Sequence, residues 1–370
     1  MQPRWHLLNE ACGKSAVNIF FAGAGITYDF GYEAGIRKRL LSCHSNSQED
    51  IEGFIEGQKA GKESFGIIDS GAFTVWNKGG HIDVDEYGDR LLVLLQNFDV
   101  AANLDVIPGK QGMDAKHITE AITEKAADGG WRNYLNLTAK LQEYDIDWRR
   151  LMPIYHQGES LDWLKRMVDH GCTYIGISPS NDYHTNQRSL WLDDVYDYLR
   201  KLPVLPKTHG YAVTSPVLMR QYPWFSVDSS SWIQLGGYGC VNTPYGMVIL
   251  SEREDVMGRP DSMDGRNWSP EMKEKITKYF TSHGLTIDGL KKSYYERWKA
   301  NVIYLLDYEK NFKYRPRLRG GSLFDEMPTL NVAPTPHKSE PKVKQDFFGL
   351  ALDPDLLKGD GPMSLFDAQI

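Results

Sequence analysis

Eight short β-rich runs alternate with helix-period segments over roughly the first 250 residues, and this layout predicts an α/β protein of the TIM (β/α)8-barrel class. Two further observations point the same way. Acidic and other polar residues recur where these runs end, the position at which barrel enzymes keep their chemistry. The alternation then stops at about Ser251 and gives way to longer helical patterns. An open, doubly wound sheet is the competing arrangement. The expected organisation is a barrel over residues 1–255, a helical extension over 256–315 and a flexible basic and proline-rich tail over 316–370.

In chain order, the runs are Val17 to Ala22, Gly66 to Asp69, Val100 to Asp105, Leu151 to Tyr155, Tyr174 to Ser178, Lys207 to Tyr211, Phe225 to Asp228 and Met247 to Leu250. Most carry β-branched or aromatic residues. Between them lie helix signals. Asp83 with Glu86 reads as a capping box, Ser189 precedes Leu192, Val195 and Leu199, and Ser215 is followed by Pro216 at a first helical position. Leu161, Leu164 and Val168 form an apolar stripe that Gly171 closes. Gly23-Ala24-Gly25 lacks the spacing and the lysine of a phosphate loop and reads as a tight turn. Beyond the barrel, Ser269-Pro270-Glu271 opens a helix ending at Gly284. A second helix, from about Asp288 to Phe312, carries Tyr294, Tyr295, Trp298, Val302, Leu305 and Leu306 on one face.

Composition narrows the function classes. A chain of 370 residues that is 41% hydrophobic can bury a large core and still carry an appended part. Cys12, Cys43, Cys172 and Cys240 stand far apart without a CxxC pair, which supports neither a disulfide framework nor a cysteine-rich zinc site. The N-terminus lacks the apolar core of a signal peptide and no run reaches membrane-spanning length, so a cytoplasmic protein with no membrane partner is expected. A formal net charge of -7 leaves room only for a local basic face toward nucleic acid.

The stretch Pro223 to Trp232, PWFSVDSSSW, delivers Asp228 at a strand end and then stops in serines. Asp228 is either a catalytic carboxylate or a cap for the following helix. The same pattern recurs at Asp69-Ser70-Gly71, at Asp105, at His156-Gln157-Gly158-Glu159 and at His209-Gly210-Tyr211. Three acids on three strand ends should face one pocket, and paired carboxylates in such a pocket suit chemistry at an anomeric carbon. One stays ionised and attacks, while another, raised in pKa by burial, moves a proton. His156 and His209 are better explained as hydrogen-bonded residues than as metal ligands, and no metal or other cofactor is expected.

At these residues the chain resembles the tRNA-guanine (queuine) transglycosylase family, and within it the phage and bacterial branch that inserts 7-deazaguanines into DNA. The matching segments are IDSGAFTVW from Ile68, ANLDVI from Ala102, PIYHQGES from Pro153, YIGIS from Tyr174, THGYAVTS from Thr208 and PWFSVDSSSW from Pro223, in the family's order over close to half the chain. The resemblance implies that Asp228 is the nucleophile that forms a covalent ester with the sugar, and that Asp69 assists proton transfer. It further implies that Asp105 and Gln157 read the base edge. Gly176 lies where the family contacts the base through main chain, and Ser70, His156 and Gly210 belong to the same base-binding segments. The family's paired glycines become Gly176-Ile177-Ser178 here. In the tRNA enzymes a zinc held by three cysteines and a histidine follows the nucleophile, whereas only Cys240 follows Asp228, a departure that favours DNA over tRNA as partner. The other expected partner is the free 7-deazaguanine base. A phage-encoded copy would act in its host's cytoplasm. A glycosidase or N-glycosidase would use the same carboxylates.

Two features lie beyond the resemblance. Arg315, Arg317 and Arg319, interleaved with Tyr314, are candidate phosphate contacts. Ser322-Leu323-Phe324-Asp325 recurs as Ser364-Leu365-Phe366-Asp367, and its Leu-Phe pairs resemble the peptide that binds the bacterial sliding clamp.

Overall fold

The computed structural model describes residues 17–23, 28–109, 113, 117–180, 183–213, 215–252, 262–263 and 268–316. Nine parallel strand segments form one sheet. They are β1 (Asn18–Ala22), β2 (Lys38–Ser42), β3 (Phe65–Asp69), β4 (Val100–Ala102), β5 (Leu151–Met152), β6 (Ile154–His156), β7 (Tyr174–Ser178), β8 (Lys207–Gly210) and β9 (Ser226–Ser229). Their order is β5-β4-β3-β2-β1-β9-β8-β7-β6. The two end segments are consecutive in the chain, parted only by Pro153, whose missing N–H interrupts the ladder. On one side the Met152 carbonyl accepts from Asn103 N–H (2.9 Å), and on the other the Pro153 carbonyl accepts from Gly176 N–H (2.8 Å). One stretch of chain is thus both edges of the sheet, and the ring closes as a TIM-like barrel.

Alternation along the strands divides the apolar residues. Phe20, Leu40, Phe65, Ile67, Val100, Met152, Tyr174 and Phe225 fill the barrel's interior. A larger layer, including Phe21, Leu41, Ile68, Ala101, Ile175 and Val227, packs against the surrounding helices. Each buried Phe, Leu, Ile, Val or Met among them contributes about 1.5–3 kcal/mol of transfer free energy. The helices are α1 (Tyr28–Ala34), α2 (Gln48–Lys59), α3 (Ala72–Asn77), α4 (Val84–Leu94), α5 (Glu120–Glu143), α6 (Leu161–Asp169), α7 (Thr185–Leu199), α8 (Pro216–Gln221) and α9 (Ser231–Gly237). Asp83 caps α4 through the N–H groups of Asp85 and Glu86, and Pro216 opens α8 as its sequence signal predicts. Helix α7 begins four residues before Ser189, which is buried within it.

One strand assignment changes. Met247 to Leu250 does not join the barrel. It supplies β11 (Gly246–Ile249), paired antiparallel with β10 (Cys240–Thr243) in a separate hairpin. The barrel strand that the sequence reading missed is β2, KRLLS, whose first two residues are basic. Its charges are tolerated because each has a partner distant in sequence. The Arg39 guanidinium meets Glu63 at 2.6 Å and the Lys38 ammonium meets Glu309 at 2.5 Å.

The extension comprises α10 (Pro270–Ser282), α11 (Ile287–Lys292) and α12 (Tyr294–Lys310). Ser293, in extended backbone, splits the single predicted helix and caps α12. Helix α12 docks on α9 through polar anchors as well as apolar ones. Trp298 Nε1 donates to the Ile233 carbonyl (2.7 Å), Arg297 Nε to Gly236 (2.7 Å) and Asn301 Nδ2 to Cys240 (3.1 Å). A Cβ at Gly236 would lie 2.4 Å from the Trp298 ring, so only glycine permits this approach. Among the described residues no helix is long and apolar enough to cross a membrane. Arg317, Arg319 and the Leu323-Phe324 and Leu365-Phe366 pairs lie outside the described residues.

Candidate active site

Because the barrel strands run parallel, their C-terminal ends share one mouth, and the acids singled out above are found there. Asp69 is the last residue of β3. The chain turns at Gly71, with φ of 78°, so that its N–H donates to Asp69 Oδ2 at 2.9 Å. A Cβ at Gly71 would come within 2.7 Å of Ser42 Oγ. Asp228 lies in β9 opposite Phe20 of β1 and is buried. Its Oδ1 accepts the Ala212 N–H at 2.8 Å. Ala212 holds φ of 49°, a left-handed conformation that a non-glycine residue keeps only when its surroundings impose it.

Below Asp228 runs a buried polar relay. Tyr174 hydroxyl bonds Ser226 Oγ, and Ser226 Oγ lies 2.6 Å from His209 Nδ1. The other ring nitrogen, Nε2, points at Asp228 Oδ1 from 3.4 Å and has no other hydrogen-bond partner among the described residues. A lone pair facing the carboxylate would be repelled, so the favoured tautomer carries its proton on Nε2.

On the opposite side of the mouth, Asp105 Oδ2 lies 2.9 Å from His156 Nε2. His156 Nδ1 meets Glu159 Oε1 at 3.1 Å, and Glu159 Oε2 accepts the His156 backbone N–H at 3.1 Å. Tyr211 stands among these groups with a buried hydroxyl that lacks a hydrogen-bond partner among the described residues. Its ring lies where a Cβ at Gly176 would be 2.6 Å away, so Gly176 serves ring packing.

The electrostatics follow from this crowding. Burial, then the charge of Asp105 and after it that of Asp228, push the Asp69 carboxyl up to about 7 against the pull of the Gly71 and Ser70 N–H groups. Burial alone would discharge His156. Glu159 and Asp105 together outweigh it and raise the imidazole to about 10, so it is a cation at neutral pH. Burial and the charges of Asp69, Asp105 and Asp228 hold the Tyr211 phenol well above its ordinary value. The mouth therefore combines a carboxyl that titrates near neutral pH, three further acids, Asp105, Asp228 and Glu159, and a fixed imidazolium. Such a set can attack an electrophilic carbon and protonate what leaves it.

The remaining predicted residues have more local roles. Ser70 Oγ accepts the Ala72 N–H, and Gln157 Oε1 accepts the Ser180 N–H at 3.1 Å, bracing one rim loop on the next. Gly210 leaves room for Val213 and Trp224. The Arg315 backbone N–H bonds the Arg220 carbonyl at the end of α8, at the barrel end away from the mouth, where α12 also ties Glu309 to the start of β1. The sequence reading did not assign Glu159, Tyr211 or the His209 relay to the site. Each stands in a quoted segment, but their signal was only that a polar residue ends a strand.

Among the described residues no group of three His, Cys, Asp or Glu side chains is arranged to hold a metal ion. No protein-family model and no curated protein sequence matches the chain.

Proposed function

We propose that the protein is a base-exchanging transglycosylase that replaces guanine in DNA by a 7-deazaguanine through a covalent ester between Asp228 and the sugar. The observation that carries this reading is the division of labour between two acids at one barrel mouth. Asp69 is poised to hold a proton near neutral pH, and Asp228 is pinned by an amide N–H and a histidine. In the first step an Asp228 oxygen bonds C1′ as the glycosidic C–N bond breaks. The electron pair stays with guanine, which takes the Asp69 proton. In the second, the ionised Asp69 removes a proton from a ring nitrogen of the incoming base, that nitrogen bonds C1′, and Asp228 departs as a carboxylate. Splitting one substitution in this way lets one base leave and another enter before water arrives. Neither step consumes a redox cofactor or a nucleotide.

A base inside a duplex must first be flipped out, at a cost of a few kcal/mol. DNA is preferred to tRNA as substrate because the cysteine set that follows the nucleophile in the tRNA enzymes is missing after Asp228. Incubation of the full chain with labelled guanine and either nucleic acid tests the reading. Label entering DNA is the expected result. Label entering tRNA instead would reassign the substrate, release of free base without uptake would make the protein an N-glycosidase, and neither uptake nor release would end the proposal.

A further inference from the structure

The clamp on His156 has a role beyond holding the rim together. An imidazole can donate from both ring nitrogens only as its cation. His156 meets a carboxylate at each nitrogen, Asp105 at 2.9 Å and Glu159 at 3.1 Å. The far carboxylate is itself fixed, because Glu159 also accepts the His156 backbone N–H and its carbonyl accepts from the Tyr155 hydroxyl at 3.1 Å. The ring is thus locked from behind and aimed at one oxygen of Asp105. A cavity of about 10 Å³ beside the clamp, lined by Trp131, Trp163 and Met167 among others, brings no charge to it. From α5, Glu124 is turned onto Trp163 Nε1 (2.7 Å) and Ser160 N–H (3.1 Å). From β3, β9 and the residue after β8, the groups that act on the same mouth are Asp69, Asp228 and Tyr211, and His209 of β8 faces Asp228.

Resting on the reading that this mouth takes a guanine-type base, we infer that His156 is a positioning residue: clamped by Glu159, it occupies one oxygen of Asp105 and leaves the other, still ionised, to accept hydrogen bonds from the base's N1–H and 2-amino edge. Asp105 lies among like charges, and two carboxylates sharing a site favour protonating one of them. A protonated Asp105 offers a donor where the base also offers donors, and recognition fails. The imidazolium prevents this. It makes the site selective for neutral bases with an N–H donor edge and keeps that selectivity constant across the neutral pH range.

Binding of labelled guanine to the full-length protein at a series of pH values tests the inference. The Asp69→Asn form serves as reference, since it removes the other carboxyl that titrates in this range. In this reference, affinity should be flat through neutral pH. Adding His156→Ala should make binding weaken toward acid pH, by up to about tenfold per pH unit, and recover at alkaline pH. His156→Gln, which keeps a donor without the charge, should show the same slope, displaced to lower pH. Profiles in both variants as flat as the reference would overturn the inference alone. A wild-type protein that takes up no guanine at any pH would overturn the functional reading and the inference with it.

Discussion

The two ends of the barrel handle charge in opposite ways. At the N-terminal end every buried ion described here is matched. Glu309 takes the Lys38 ammonium and the Ile19 N–H, Arg150 donates to the carbonyls of Leu95, Phe98 and Asp99, and Asp99 accepts the Gly66 N–H. At the C-terminal mouth Asp69, Asp105 and Asp228 are close enough to disturb one another, and the cation beside them, His156, is already shared with Glu159. Matched charges hold a ring of strands together. Mismatched charges cost stability, and they persist where the cost sets the ionisation states that a reaction needs.

The largest expected break in this contrast is Asp228→Asn. It should lower exchange on the order of 10⁴-fold, the scale of losing a nucleophile, while leaving the melting temperature close to wild type. A denaturing gel of protein incubated with DNA and a deazaguanine checks it, since an adduct formed equally by the variant would exclude Asp228 as nucleophile. At the paired end the effects exchange places. Arg39→Ala leaves the Glu63 carboxylate buried and uncompensated and should destabilise the fold by about 3–5 kcal/mol, with activity per folded molecule unchanged. Urea unfolding with an activity assay on the native fraction measures both.

Asp69 sharpens the comparison through pH. Its raised pKa places the loss of its proton near pH 7, so adduct formation should fall as pH rises through about 7. Asp69→Asn should abolish that limb and slow the reaction by about 10²–10⁴-fold. Stability should follow the same direction. Both Asp69 and His156 have folded-state values above their unfolded ones, so each contributes most with its proton on and loses that contribution as pH rises, Asp69 through about 7 and His156 through about 10. A series of melting temperatures should decline from about pH 4 to 7 through Asp69 and from about 6.5 to 10 through His156, and His156→Ala should flatten the upper part of that decline. The smallest effect belongs to Ala212→Gly. Glycine adopts the left-handed backbone at no steric cost, so stability should change by less than about 1 kcal/mol with Asp228 still held by the amide; a larger loss in denaturant unfolding would assign Ala212 more than a backbone role.

Much of the barrel was legible because its strands are short, apolar and punctuated by polar ends. Strand β2 was not, since Lys38 and Arg39 look solvent-facing until Glu309 and Glu63 are brought to them from distant parts of the chain. The hairpin strand β11 resembles a barrel strand in sequence, because a run of β-formers carries no mark of its partner. In the site, Asp69, Asp105 and Asp228 stood out as acids at strand ends. The His209 relay and the Glu159 clamp did not, because a histidine's role depends on which atoms its two nitrogens face.

By itself, then, the sequence determined the alternation of strands and helices, where it stops, and which acids stand at strand ends, all of which are local patterns of residue type. Only the tertiary structure decided that the segments on either side of Pro153 close the ring, that Arg315 lies at the barrel end away from the mouth, and that Asp69 holds its proton to about 7. Ring closure, distance and ionisation all arise between residues far apart in the chain, where burial and neighbouring charge take values that no local pattern encodes.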